Sequence, residues 1–437
     1  MLTRRDFLGA AGLAGLAATA PALPRGAGDA AQDPLPPLRR PSGSPQAVAR
    51  DEDYWRRVAA YYRVEGGYTN LEAGYFGMMA APVLAEYHRH IDRVNRESSY
   101  YARRGYDGDL AAARARVAEF LGAQPAEVAF TRGATEALQR LIIQYRPVAA
   151  GDAVIYADLD YNSMQWAMNA LAKQRGARVV RFEIPEPATN ENVLAAYARV
   201  LESTPGARLL LVTHLNNKTG LIIPVKEIVA LARDRGVGVI VDAAHSFGQC
   251  DLTLDDLGAD FVGLNLHKWL GAPVGAGVMY IREGRLGDID PMLGDEGPAD
   301  RIDSRMHTGT ANFATFLTVP AALDFNDAVG RPHKAARLKY LRDRWVGALR
   351  GTLGLDILAP DDPGMSAAIT SFRLGGLTGR EENQAVVREL LDRYGIFTVW
   401  RTGVAGGDCV RVTPALYNTP EDVDRLVEAL REMAARS

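Results

Sequence analysis

Two residues near the middle of the chain have the types and spacing for amine chemistry: Asp242 and, 26 residues on, Lys268. Asp242 ends an apolar run, Val237 to Val241, that follows Gly236 and is too short for a helix. That pattern predicts a buried parallel strand with the acid at its carboxyl end, where open α/β sheets bind ligands. A second run, Phe261 to Leu264, ends at Asn265-Leu266-His267-Lys268, and after a glycine-rich turn a third strand is expected from Gly277 to Ile281. An acid and a lysine thus reach one sheet edge. A lysine amine forms a Schiff base with an aldehyde, and a carboxylate keeps a pyridine nitrogen protonated so that the ring accepts electrons. Together they suit pyridoxal phosphate. Neither type is specific alone, since a strand-end Asp is commonly a helix cap and a Lys a solvated charge. Lys268, however, stands among Leu264, Leu266, Trp269 and Leu270. Apolar surroundings lower an amine's pKa, as a nucleophile requires.

The wording DAAHSFGQ followed by LHKWLGAPVGAGVMYIR resembles the class V aminotransferases among the fold-type I pyridoxal phosphate enzymes. The resemblance implies Lys268 as the Schiff-base lysine, Asp242 as partner of the pyridine nitrogen and His245 beside the cofactor's phenolic oxygen. Asn265 and His267 would reach the phosphate. It also implies the fold: an α/β fold-type I transferase, with a mainly parallel sheet in the large domain and a smaller α+β C-terminal domain.

Further elements are expected to complete the site. After a short strand at Val128 to Phe130 comes Thr131-Arg132-Gly133-Ala134-Thr135-Glu136. A helix starting here offers free backbone N–H groups and a positive dipole end to an anion, although Thr135 could equally be a simple cap. Beside Lys268 the segment resembles the family's phosphate loop, which makes Gly133, Ala134 and Thr135 cofactor contacts. By family position Tyr161 would stack on the pyridine ring. Asn217, with Asn216 as the fallback, would bond the ring oxygen. The segment His307 to Asn312 resembles one that approaches the neighbouring subunit's phosphate; this implies a role for Thr310 in a homodimer, against the plain alternative of a Thr-Gly turn. Cys409 to Thr419 resembles the family ending RxSxxxYNT, whose arginine, here Arg411, clasps the substrate's α-carboxylate. Arg401 is a second candidate. The stretch Tyr68 to Gly77 resembles the isopenicillin N epimerase-like branch, in which Tyr75 would border the substrate pocket; packed aromatics around a glycine turn are the alternative.

Over the whole chain, 437 residues with 47% hydrophobic and 24% charged content suffice for a large core. A net charge of −3 argues against nucleic-acid binding, and two cysteines and seven histidines show no metal-ligand spacing. Thr3-Arg4-Arg5-Asp6-Phe7-Leu8 before a weakly apolar, glycine-broken run resembles a Tat export signal rather than a stable membrane span. The expected organisation is a Tat signal over 1–25, a Pro/Gly/Ala-rich linker over 26–49, an N-terminal segment bordering the site over 50–95, a large cofactor-binding domain over 96–315 and a small domain over 316–437. Cys250 and Cys409 are expected to remain free thiols. Cysteine desulfurases of this kind carry a nucleophilic Cys shortly after Arg-Thr-Gly. Here Arg401-Thr402-Gly403 is followed by Val404-Ala405-Gly406-Gly407, which disfavours that route. The resemblance to the epimerase-like branch, which includes exported enzymes that tailor peptide siderophores, together with the Tat-like N-terminus implies aminotransferase-like tailoring of an amino acid or peptide amine, such as a siderophore, in the periplasm. An epimerase, a C–S β-lyase and a non-catalytic binding protein on the same fold are the alternatives.

Overall fold

The structure is a computed structural model that describes residues 35–306 and 309–436. The expected signal sequence, and the linker up to residue 34, lie outside the described residues. From Leu38 onward the chain is one compact unit.

Its centre is a seven-stranded sheet. After β1 (Thr69–Asn70), the strands are β2 (Val128–Thr131), β3 (Ala153–Ala157), β4 (Arg178–Phe182), β5 (Ala207–Thr213), β6 (Gly238–Asp242), β7 (Phe261–Asn265) and β8 (Gly277–Ile281), in the spatial order β2-β8-β7-β6-β5-β3-β4. Strands β3 to β7 pair in parallel. Parallel neighbours need crossovers, supplied here by α6 (Asn162–Arg175), α7 (Asn190–Glu202), α8 (Val225–Arg233) and α9 (Leu254–Leu257). Strands β3, β7 and β8 are buried at every position. Burial of each Val, Leu or Ile there contributes about 1.5–3 kcal/mol relative to exposure, so these strand ends are a rigid platform. No helix separates β7 from β8, and β8 returns antiparallel to both β7 and β2. The returning loop carries His267 and Lys268. A Cβ on Gly277 would lie 2.5 Å from Gly133 Cα, so glycine is what lets β8 touch the loop before α5 (Ala134–Ile143).

Before the sheet, α1 (Pro45–Val48) and α2 (Glu52–Ala59) pack against α11 (Arg331–Leu349), whose buried Arg337 donates to the Ala49 carbonyl and to Glu52. Chain packing therefore begins inside the stretch read as a linker to residue 49, because Val48 and Ala49 are buried. The long α3 (Ala81–Arg104) and α4 (Tyr106–Leu121) embrace α10 (Phe313–Val329). A second, antiparallel sheet runs β12-β13-β10-β9, formed by β9 (Leu355–Ile357), β10 (Thr370–Leu374), β12 (Val399–Arg401) and β13 (Cys409–Val412). With it go α12 (Arg380–Tyr394) and α13 (Pro420–Ala434), the latter capped by the Thr419 side chain, which accepts from the Asp422 N–H. The apolar run Phe397 to Trp400 is divided between two strands: β11 (Ile396–Phe397) pairs with β1, while β12 pairs with β13. Thr398 between them is fully buried.

Candidate active site

A cleft of about 610 Å³ opens at the carboxyl ends of β5, β6 and β7. Its walls bring together Tyr75, Gly133, Ala134, Thr135, Tyr161, Asn217, Asp242, His245, Asn265, His267, Lys268 and Arg411. Thr310 is the exception: it is exposed and lines no part of this cleft, and its neighbours 307 and 308 lie outside the described residues.

The half-buried Lys268 lies in the β7–β8 loop, flanked along the chain by the buried Leu266, Trp269 and Leu270. Burial brings its amine down to about 8; Asp242 and Glu72 oppose that shift and Arg411 and Arg401 reinforce it. Nζ is 2.8 Å from His245 Nε2, and the Trp269 indole donates to His245 Nδ1 at 3.2 Å. Asp242 ends β6, only 3% exposed. One of its oxygens accepts from the Ala244 N–H at 2.9 Å, and the other makes no hydrogen bond among the described residues. Burial raises its carboxyl pKa, against that bond and the nearby lysine. A cationic ring nitrogen in the cleft would supply the charge that keeps it ionised.

The opposite end of the cleft is made for an anion. Helix α5 begins after Gly133, in extended backbone, and has no side-chain cap. Thr135 is thus in the first turn and does not cap the helix, so the dipole and the first-turn N–H groups after that of Ala134 face the cleft. Exposed Arg132 stands at the lip, ion-paired with Glu136. Asn265 departs from its expected role. Its amide oxygen accepts from Ala134 N–H at 2.8 Å and its nitrogen turns to the Ala244 carbonyl, so it holds the anion cup in place. His267 Nδ1 donates to the Ala276 carbonyl at 2.8 Å, leaving Nε2 for the cleft. Asn216, the fallback to Asn217, is a turn-former: its oxygen accepts from the Lys218 and Thr219 N–H groups.

At the substrate end the sequence reading missed a residue. Glu72 accepts from Arg411, from Arg401 at 3.4 Å and from the Thr413 hydroxyl at 3.2 Å. With side chains 1% and 5% exposed, Arg411 and Glu72 are a desolvated pair. Burial lowers the Arg411 pKa to about 10. Arg411 also donates to the Asn217 carbonyl, and its Nε is buried with no partner. The expected carboxylate clasp is therefore already partly engaged, and half-buried Arg401 shares the same acid. A Cβ on Gly74 would lie 2.5 Å from Arg411 Nη2, and one on Gly77 would lie 1.9 Å from the Lys268 carbonyl. Glycine at both sites lets the segment press against the arginine and the lysine loop. Tyr75 between them is 75% exposed, at the rim with Phe76.

A second buried lysine was also missed. Lys218 donates to the Asp158 and Gly403 carbonyls at 2.6 and 3.2 Å, tying the loop that follows β12 to the end of β3. Both cysteines are free, and burial raises the thiol of Cys409 to about 11 and that of Cys250 to about 12. Among the described residues no cluster of His, Cys, Asp or Glu is placed to hold a metal ion, and no helix is long and apolar enough to cross a membrane.

An amine of lowered basicity, an oxygen of the buried Asp242 carboxylate open to the cleft and a helix N-terminus with no cap on its own N-cap residue share one cleft, and these fit pyridoxal phosphate at its aldehyde, ring nitrogen and phosphate. The family model "Aminotransferase class-V" matches residues 81–426. The chain is 30% identical to isopenicillin N epimerase from Amycolatopsis lactamdurans, over 87% of this chain and 98% of that one. Among solved structures it is similar to the cysteine desulfurase CsdA from Escherichia coli, with a TM-score of 0.73 and 22% identity over 87% and 98% of the two chains. It is also similar to the cystine C–S lyase C-DES in complex with cysteine persulfide, with a TM-score of 0.75 and 22% identity over 84% and 98%.

Proposed function

The chain belongs to the class V aminotransferase family of pyridoxal phosphate enzymes, and on that premise we propose that it acts on the amino group or α-carbon of an amino acid, free or within a peptide. The observation that carries this reading is the pairing of Lys268, its amine brought to about 8, with a buried Asp242 at the next strand end. Bound pyridoxal phosphate supplies an electron sink that weakens the bonds at the substrate's α-carbon. Lys268, once free of the cofactor, accepts and returns the α-proton, a task suited to an amine titrating near neutrality. Arg401 and Arg411 share one glutamate, and the positive charge left over orients a single carboxylate. The exposed Tyr75 and Phe76 at the rim suit a substrate larger than one amino acid. The reading extends to aminotransferase-like tailoring of a secondary metabolite such as a peptide siderophore, by a homodimer exported through the Tat route to the periplasm; the twin arginines at Arg4 and Arg5 support the export.

Epimerisation is the second reading, favoured by the similarity to isopenicillin N epimerase. A cysteine desulfurase route, in which an enzyme thiol takes up the sulfur, is disfavoured because Cys409 is buried and its thiol is raised to about 11; a C–S β-lyase needs no enzyme thiol and is the third reading. The test is the visible spectrum of the purified protein titrated with amino acids and a peptide siderophore precursor, with products identified. A ligand that shifts the band and yields a keto product supports transamination; α-proton exchange with the amine retained supports epimerisation; release of pyruvate and ammonia from cysteine conjugates supports the lyase. Lys268→Ala is expected to lower turnover by at least about a thousandfold while the protein stays folded. Full activity in that variant would end the assignment and favour the binding-protein alternative.

A further inference from the structure

The hydrogen bonds around His245 admit one arrangement of protons. An indole nitrogen donates and has no lone pair to offer, so in the 3.2 Å contact with Trp269 Nε1 the His245 Nδ1 is the acceptor and bears no proton. Burial, reinforced by the charges of Arg411 and Arg401, holds the imidazole neutral. A neutral ring without a proton on Nδ1 carries it on Nε2. That atom faces Lys268 Nζ at 2.8 Å. An N–H directed at an amine needs a lone pair there, which the neutral amine has and the ammonium lacks.

From this geometry we propose that Trp269 is a positioning residue: its indole N–H fixes His245 as the Nε2–H tautomer, which favours Lys268 as the neutral amine and presents an N–H, not a lone pair, to the cleft. The proposal rests on Lys268 being the lysine that takes the aldehyde. Trp269 lines no part of the cleft itself. It is buried with Tyr54, Val58 and Leu338, and its backbone carbonyl accepts from the buried Lys334, so its main chain is held as well as its ring. Without the indole N–H the imidazole is free to move its proton to Nδ1. Nε2 then becomes an acceptor that stabilises the ammonium. Asp242 and Glu72 already pull the lysine toward its charged form, against Arg411 and Arg401. Removing one indole N–H therefore tips a balance among five charged groups.

Two measurements test this. In the intact protein labelled with ¹⁵N-histidine, with the His245 signals assigned by their loss in His245→Gln, the shifts should show Nε2 protonated and Nδ1 bare; a proton on Nδ1 overturns the proposal. The second uses protein stripped of cofactor, to which pyridoxal phosphate is added while the visible band of the lysine-bound form is followed as a function of pH. Trp269→Phe keeps the ring and loses the N–H. Its uptake should be at least threefold slower at pH 7.5, with the midpoint moved to higher pH and the final band intensity retained. An unchanged midpoint overturns the proposal. If the unsubstituted protein takes up no cofactor, the lysine assignment fails, whereas the tautomer measurement still stands or falls separately.

Discussion

At the scale of single residues, the site depends on charges that are buried together. Glu72 and Arg411 are both desolvated, and breaking such a pair leaves the survivor uncompensated. Glu72→Gln is expected to lower the unfolding free energy by about 3 kcal/mol in denaturant titrations; an unchanged midpoint would mean that water reaches the pair. Lys268 gives a pH signature. In the folded protein its amine titrates near 8, below the 10.5 of an ordinary lysine. Below pH 8 both states are protonated and burial of the ammonium penalises the fold in full. Between 8 and 10.5 the unfolded chain binds more protons, so the penalty is relieved as the pH rises. In protein stripped of cofactor, Lys268→Met should therefore be more stable at pH 7, by about 1–3 kcal/mol, with the gain shrinking above pH 8. A gain independent of pH would contradict the lowered amine. Asp242, His245 and Lys268 were legible in the sequence because adjacent strands deliver them within a few dozen residues. Glu72 was not, because its partners Arg401 and Arg411 lie 329 and 339 residues away. A carboxylate inside the glycine-aromatic stretch Glu72-Ala73-Gly74-Tyr75 was the available signal.

At the scale of elements, strands were legible wherever short apolar runs met glycine or a polar loop, which is how β6, β7 and β8 were located. Helix α10 escaped because it is apolar on nearly every side, with ten buried residues and an internal Pro320, so it shows no helical period. The division of residues 396–401 between two sheets was hidden for a different reason: a short strand does not encode its partner. The segment after β1 is held to the β7–β8 loop through a Gly77 N–H to His267 carbonyl bond of 2.8 Å. Gly77→Ala would place a methyl against the Lys268 carbonyl and force the two apart. The expected loss is about 2–4 kcal/mol in thermal or chemical unfolding, accompanied by weaker cofactor retention. Stability and retention equal to the parent would show that the contact relaxes at no cost.

At the scale of the molecule, the mainly parallel sheet and the cleft at its strand ends follow from short apolar strands separated by helices along the chain, while the strand order does not. Export is a property of the N-terminus alone in this reading. Replacing both Arg4 and Arg5 by Lys should leave the purified enzyme's spectrum unchanged while the protein accumulates in the cytoplasmic fraction, and normal export of that variant would remove the Tat assignment. The pairing of β1 with β11 joins Thr69 to Ile396. During synthesis at 5–20 residues per second, roughly 15–65 s separate the emergence of these partners from the ribosome. By the time residue 395 has emerged every strand of the large sheet has been made and Gly77 can meet the β7–β8 loop, but Glu72 and Gly74 still lack Arg401 and Arg411. The first wall of the cleft to be translated is thus the last to be completed, and a chain ending prematurely near residue 395 would carry the lysine, the acid and the anion cup but no finished substrate end.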